Sequence, residues 1–213
     1  MKSYPSIPSI KELKEFGKKC IGFEKLDGSN IRYQFSFKTG WKQCGTRTRL
    51  FDKSDPIFGC AIDLFKNTLA STLENRIKKY KQYQQVIFYC EFFGPNTFSG
   101  QHDIETLRYL GFDVQHNEPK QLVLIDVNLH KKGFLGPQQF VDEFGDIGAK
   151  VVYTGPLNEE FIEDVRQGKY PVREGVVCKW GENHDIHRYK IKTNAYLEEL
   201  KKRFGLEQWE KYA

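Results

Sequence analysis

The stretch FEKLDGSNIRY, residues 23–33, sets Lys25, two acids (Glu24 and Asp27) and Gly28 at the end of an apolar run. Asp-Gly is a common pair in turns between strands, so a hairpin is one reading. The other starts from the lysine. An ammonium is strongly hydrated and ordinarily stays at the surface. Buried, it would give up its proton more readily and could act as a nucleophile.

The totals admit either reading. A chain of 213 residues suits one domain, expected to span 1–213, and can bury a full core without staples. Hydrophobic residues at 39% and aromatics at 15% are enough for a folded protein. Lys and Arg exceed Asp and Glu by 33 to 28, a net charge of +5 that suits a nucleotide or nucleic-acid partner without demanding one. Cys20, Cys44, Cys60, Cys90 and Cys178 are odd in number and widely spaced, and four of them sit among apolar or small neighbours. They read as buried thiols of a reducing, intracellular compartment. No apolar run approaches the length that crosses a bilayer, and the opening MKSYPSIPSIKELKEF has no hydrophobic core of a signal peptide.

Helix and strand patterns alternate to the end of the chain. SIKELKEFGKK (9–19) reads as a short capped helix, CIGFEK (20–25) and IRYQFSF (31–37) as strands around the Asp-Gly turn, and GWKQCGTRTRLF (40–51) as a third strand. Apolar residues recur at helical spacing from Phe58 through Ile62, Phe65, Leu69 and Leu73 to Ile77. QQVIFYCEFFG (84–94), QLVLIDVNL (121–129), AKVVYTG (149–155), REGVVCKW (173–180) and IHRYKIK (186–192) read as strands. PQQFVDEF (137–144), NEEFIEDVRQG (158–168), AYLEELKKRFG and EQWEKY read as helices. The sum is an α+β chain built on antiparallel sheets flanked by helices.

Charged residues stand where neither turn chemistry nor core packing asks for them. Glu91 interrupts FYCEFFG and Asp126 interrupts LVLIDVNL. Burying a carboxylate is costly unless it is paired or used. Arg47, Glu174, Lys190 and Lys192 join them at other strand ends, and each alone would pass for a solvated strand edge.

Taken in order, these pieces resemble the covalent nucleotidyltransferases: ATP-dependent DNA and RNA ligases and mRNA capping enzymes. KLDG (25–28) resembles the Lys-x-Asp-Gly motif whose lysine takes the nucleoside monophosphate, and TRTR (46–49) the arginine motif that follows. EFFG (91–94) resembles the ribose-binding Glu motif, LIDV (124–127) the adenine-side motif, and EGVV (174–177) and KIK (190–192) the last two. KLDG alone is a weak signal; six motifs in order over residues 20 to 195 are a strong one. The lead-in YPSIPSI (4–10), Glu24 directly before the lysine and the Arg47-Thr48 pair bring the chain nearest to RNA ligases similar to T4 RNA ligase 2. Two departures stand out. Ile125 replaces the aromatic that stacks on the base in many RNA ligases, which leaves the purine preference open. The chain also runs only about 20 residues past Lys192, leaving little room for a C-terminal OB domain.

The resemblance implies a nucleotidyltransferase, ATP-grasp-like ligase fold and a reaction through lysyl-AMP. Lys25 would attack the α-phosphorus of ATP. Lys190 and Lys192, at i, i+2 on a strand and so on one face, would meet the charge gathering on that phosphate and, with burial, lower the pKa of Lys25. Glu174 would bind magnesium, or manganese in its place, directly or through water. Arg47 would hold a phosphate, Glu91 the ribose hydroxyls, and Glu24, Asp27, Gly28 and Asp126 the rest of the nucleotide. Phe92, Phe93 and Phe98 would stack on exposed bases, or serve as core. The expected substrate is nucleic acid, RNA before DNA, with a partner protein or domain in place of the C-terminal module. Three alternatives stay open: a minimal DNA ligase, a capping-type guanylyltransferase core that needs a partner, and a nucleic-acid-binding module with a decayed site.

Overall fold

The computed structural model describes residues 1–94 and 120–204. Strands β1 (Lys19–Lys25), β2 (Ser29–Ser36), β3 (Gly40–Thr46), β4 (Leu50–Phe51), β5 (Gln85–Phe93), β6 (Gln121–Leu129), β7 (Gly133–Phe134), β8 (Val151–Pro156), β9 (Gly175–Trp180) and β10 (His187–Lys192) form two sheets. All their pairings are antiparallel, as the alternating sequence pattern required. The helices are α1 (Gly59–Phe65), α2 (Ser71–Arg76), α3 (Pro137–Phe144), α4 (Glu159–Arg166) and α5 (Asn194–Phe204). The chain divides into two compact units, one per sheet.

The first unit comprises Met1–Pro5, Asp27–Gly148 and Glu182–His184. Its six strands run in the order β4-β3-β2-β5-β6-β7. Side chains alternate across a strand, and here both faces are covered. On one face Tyr33 of β2 stacks on Phe65 of α1 with centroids 3.7 Å apart, and Trp41 meets Phe65 edge-on at 4.6 Å. The apolar spacing from Phe58 to Ile77 delivers this cover as α1, a π-helical turn (Lys66–Ala70), α2 and a 3-10 segment (Ile77–Tyr83). On the opposite face the segment Met1–Pro5 lies against polar side chains. Arg32 Nη1 donates to the Met1 carbonyl at 3.0 Å and to Ser3 Oγ at 2.9 Å, and the Tyr89 hydroxyl donates to the Lys2 carbonyl at 3.0 Å.

The second unit comprises Ser6–Leu26, Ala149–Gly181 and the chain from Asp185 onward. Its four strands run β10-β9-β1-β8. The helix α4 buries Phe161, Ile162 and Val165 against Cys20, Val176, Cys178 and Ile191 of the sheet. Asn158 caps it, its side-chain oxygen accepting from the Phe161 amide at 2.9 Å, and Glu159 and Glu160 in the first turn complement the helix dipole.

Several expectations need correction. Asp-Gly is not a hairpin turn: β1 pairs with β8 and β9, whereas β2 pairs with β3 and β5, so the chain leaves one sheet at Lys25 and enters the other at Ser29. The helix expected over 9–19 is a single 3-10 turn, Ile10–Glu12. Its capping box between Ser9 and Glu12 does form, but the Gly17 amide donates to the Leu157 carbonyl and the Lys18 carbonyl accepts from the Leu157 amide. GWKQCGTRTRLF bends into a hairpin, β3 to β4, with Arg47 and Thr48 at its tip. Three cysteines are buried, not four: Cys44 is partly exposed and Cys60 exposed. Phe98 and EQWEKY lie outside the described residues. Among the described residues no helix is long and apolar enough to cross a membrane.

Candidate active site

Strand register builds the site in the second unit. β9 lies between β1 and β10, and Gly175 at its start is the register partner of Lys25 on one side and of Lys192 on the other. Glu174 directly precedes it. The three side chains therefore converge: Glu174 Oε1 lies 2.7 Å from Lys25 Nζ and 3.1 Å from Lys192 Nζ. The carboxylate is buried, its side chain 4% exposed, while Lys25 keeps 21% of its side-chain surface open. A buried carboxylate between two ammoniums satisfies the rule that buried charges are paired. Lys25 is thus partly accessible, where burial was expected, and its ammonium already has an acceptor.

Gly175 is obligatory at this point. Its φ is 153°, and a Cβ there would sit 1.9 Å from the Ile191 carbonyl oxygen. Lys190 shares the face of Lys192 by alternation. Burial, and then the nearby charges of Lys192 and Lys25, hold Lys190 below the ordinary lysine range. Strand alternation sends Glu24 to the face opposite Lys25, and its amide donates to the Lys150 carbonyl at 2.8 Å.

Sequence reasoning missed the group that anchors Glu174. The Thr193 amide donates to the Glu174 carbonyl at 3.0 Å, and its hydroxyl donates to the Arg173 carbonyl at 2.9 Å. The same hydroxyl accepts from the Tyr196 amide at 3.2 Å and so caps α5. Lys192 Nζ stands 4.9 Å from the centre of the Tyr196 ring, a cation–π distance. The signal was present: a threonine immediately before a helical pattern is a start signal. Two further basic residues of the Lys25 face also escaped notice. Arg188 and Lys179 are register partners and both are buried, with Lys179 Nζ 4.9 Å from the Phe23 ring centre.

The remaining candidates belong to the first unit. Gly28 and Glu91 are brought together, since a Cβ on Gly28 would meet the Phe92 carbonyl at 2.6 Å and the Glu91 side chain at 3.0 Å. Asp27 begins the Asp27–Gly148 segment of this unit. Phe92 is fully buried and Phe93 half-buried. Arg47 is exposed at the β3–β4 hairpin tip, its carbonyl accepting from Ser3 Oγ at 2.9 Å. Asp126 is buried, and its Oδ2 accepts from the Tyr4 hydroxyl at 2.8 Å. The lead-in tyrosine thus ties to the adenine-side motif, a link that sequence order does not show. Ile125 is the extra residue of a β-bulge, because Tyr89 pairs with Asp126 while Cys90 pairs with Leu124. Bulges re-aim neighbouring side chains and occur beside active sites.

A divalent cation can be tested against this donor set. Among the described residues there is no cluster of three or more His, Cys, Asp or Glu able to hold a metal by themselves. Glu174 Oε2, however, is buried and has no hydrogen-bond partner, while Oε1 serves both lysines. A single carboxylate oxygen with its remaining coordination left to water and phosphate oxygens is the usual demand of Mg²⁺ in nucleotide enzymes. The residues fit.

Comparison with known proteins bears on the fold and the family. The Naegleria gruberi RNA ligase, as an apo variant, superposes with a TM-score of 0.61 at 17% identity, over 95% of this chain and 58% of its own. A variant of the same ligase with ATP and Mn gives 0.60 at 16%, over 93% and 58%. An archaeal ATP-dependent RNA ligase gives 0.60 at 16%, over 96% and 52%. These likenesses are of fold, and the chain spans little more than half the length of each relative. A search of curated proteins returned no match. The family model for RNA ligase matches residues 18–192, a span that holds all six motifs from KLDG to KIK together with the Lys25–Glu174–Lys192 cluster, and on that match the chain belongs to the RNA ligase family.

Proposed function

We propose that the chain is an ATP-dependent RNA ligase of the T4 RNA ligase 2 type, working through lysyl-AMP on Lys25. The observation that carries this reading is the cluster itself: a partly open lysine held 2.7 Å from a buried glutamate that also binds Lys192. A nucleic-acid-binding module with a decayed site would have no use for a buried carboxylate there.

Lys25 Nζ attacks the α-phosphorus of ATP. A P–N bond forms, the bond to the pyrophosphate oxygen breaks, and pyrophosphate leaves. Lys25 must first lose a proton, and Glu174 Oε1 is positioned to receive it. Lys190 and Lys192 meet the negative charge that grows on the α-phosphate in the transition state. Magnesium or manganese, when bound, neutralises phosphate charge and assists the leaving group; Glu174 Oε2 would hold it. Glu91 is assigned to the ribose hydroxyls, Arg47 to a phosphate, and Asp27, Gly28 and Asp126 to the nucleotide, each on the resemblance of its motif. Glu24, on the opposite face, would act through its strand's backbone. Transfer of AMP to a 5′-phosphate and attack by a 3′-hydroxyl complete the ligation and release AMP. The Naegleria ligase, solved with ATP and Mn and with AMP and Mn, supports both the nucleotide and the metal.

The test is incubation with α-labelled ATP and magnesium. Acid-stable label is expected on wild type and not on Lys25→Arg, which keeps the charge but cannot supply a neutral amine. Full labelling of Lys25→Arg would remove Lys25 as nucleophile.

A further inference from the structure

The first unit carries a cavity of about 370 Å³ that the motifs do not reach. Tyr33, Trp41, Phe51 and Phe65 supply its apolar floor, and Lys42, Lys53 and Lys66 stand among its lining residues. It opens on the sheet face of Tyr33 and Phe88, which are register partners. Glu91 pairs with Asn30 and Tyr89 with Arg32, and by alternation they occupy the other face. The cavity is therefore separate from the side of the sheet that holds Glu91 and Asp126.

Three features define what it takes. The floor is rigid: Tyr33 stacks on Phe65 at 3.7 Å and 9°, and Trp41 is held edge-on by Phe35 at 5.0 Å and by Phe65 at 4.6 Å. Trp41 stays partly open, so a flat ring can lie against it. The volume is at the lower end for small-ligand sites, too small for a helix or a duplex. Three lysines and one carboxylate, Asp52, line it, and Glu74 Oε1 accepts from the Trp41 indole N–H at its floor. Lys53 is paired with Asp63 at 2.5 Å, and Asp52 accepts from the Ser54 amide at 2.9 Å and hydroxyl at 2.6 Å. Lys42 and Lys66 are exposed at the same opening. Lys42 is the extra residue of a bulge in β3, where Gln34 pairs with Gln43 and Phe35 with Trp41. Burial raises the Cys44 thiol to about 11, so the wall beside these lysines carries no thiolate at neutral pH.

We propose that this cavity receives one unpaired nucleotide of a polynucleotide strand, its base against the aromatic floor and its flanking phosphates on Lys42 and Lys66. The proposal deepens the RNA-ligase reading and rests on it. Aromatic floors beside cationic grooves bind single strands with little sequence preference.

The test uses the full chain and a short fluorescein-labelled single-stranded oligoribonucleotide, read by anisotropy across a salt series. Lys42→Glu combined with Lys66→Glu is expected to weaken binding about tenfold at about 0.15 M salt, the scale of two lost single-strand phosphate contacts. The slope of log affinity against log salt should fall in magnitude by about 1.4, two single-strand phosphate contacts. Lys131→Glu, in the turn before β7 at the opposite edge of the sheet, should change neither quantity. Unchanged affinity and slope in the double variant would overturn the proposal. An affinity for AMP that falls in the double variant as the oligonucleotide's does would assign the cavity to free mononucleotide and overturn the strand assignment. ATP labelling of Lys25, run in parallel, separates the two readings: absent labelling in wild type refutes the ligase, whereas retained labelling with lost strand affinity in the double variant supports the cavity.

Discussion

Glu174→Gln removes one charge and little volume, and it should destabilise the protein out of proportion to so small a change. Oε1 faces two ammoniums, at 2.7 and 3.1 Å. At an effective dielectric of about 20, each contact has a gross Coulomb energy of about 5–6 kcal/mol. Most of that is cancelled by the desolvation of a carboxylate this deeply buried, and Lys25 is screened through its open side. What survives in a substitution is the cost of leaving two cations against a neutral amide, about 3–5 kcal/mol where one partner of a buried pair is removed. That is a large fraction of a typical total stability of about 5–15 kcal/mol. Urea denaturation at neutral pH gives the number. The cluster also makes a non-additive demand. Lys192→Met should cost less in the Glu174→Gln background than in wild type, because it then relieves a stranded charge, with a coupling of about 0.5–3 kcal/mol. A loss for Glu174→Gln within about 0.5 kcal/mol, the range of surface substitutions, would mean that the pairing contributes nothing and would refute the reasoning.

Thr193→Val deletes a hydroxyl that bonds the Arg173 carbonyl and caps α5, so it should cost about 1–2 kcal/mol and slow ATP labelling of Lys25 by misplacing Glu174; Thr193→Ser should restore both, and a rate for Thr193→Val equal to wild type would make the threonine a helix cap and no more. Lys190 should titrate below 10.5 when followed by NMR of its side chain. Because its folded-state value is depressed, the folded protein carries the full penalty of the ammonium at every pH below that value, and stability rises as pH climbs through it toward the unfolded value. Lys190→Met should therefore gain stability relative to wild type at neutral pH and lose that advantage at alkaline pH, as read by urea midpoints at both; a constant difference would show that charge is not the cause.

What could be read in the sequence was local. Alternation and apolar spacing located the strands and the helical cover of the large sheet, and motif order picked out Lys25, Glu174, Lys190 and Lys192. Nonlocal pairing decided the rest. Nothing in FEKLDGSNIRY shows that its two strands join different sheets, because a turn and a crossover use the same Asp-Gly chemistry. Residues 9–19 have helical periodicity and a true capping box, yet Leu13 is already extended and the Gly17 amide donates to the Leu157 carbonyl, where a helix would have spent it on Leu13. Asp126 looked unpaired in LVLIDVNL because Tyr4 lies 122 residues away in the chain. Thr193 was legible as a cap but not as the clamp on Glu174, since that role depends on where β9 begins.

The geometry of the site then follows from one glycine. Lys25, Glu174 and Lys192 come from motifs far apart in sequence, and each sits at a strand end, where register slippage is easiest. Gly175 couples them, because it is the register partner of both lysines and adjoins the glutamate. With a φ of 153° and the Ile191 carbonyl 1.9 Å from where a Cβ would stand, no other residue keeps this backbone. A one-residue slip of β9 against either neighbour would also turn its alternating side chains over, sending Val176 and Cys178 out of the core they share with Ile191 and α4. The core thus fixes the register, and the register fixes the distance between the ammoniums and the carboxylate. The glutamate–glycine pair is in this sense one structural unit: the glycine lets the strands close around the carboxylate, and the carboxylate lets two lysines share that end of the sheet.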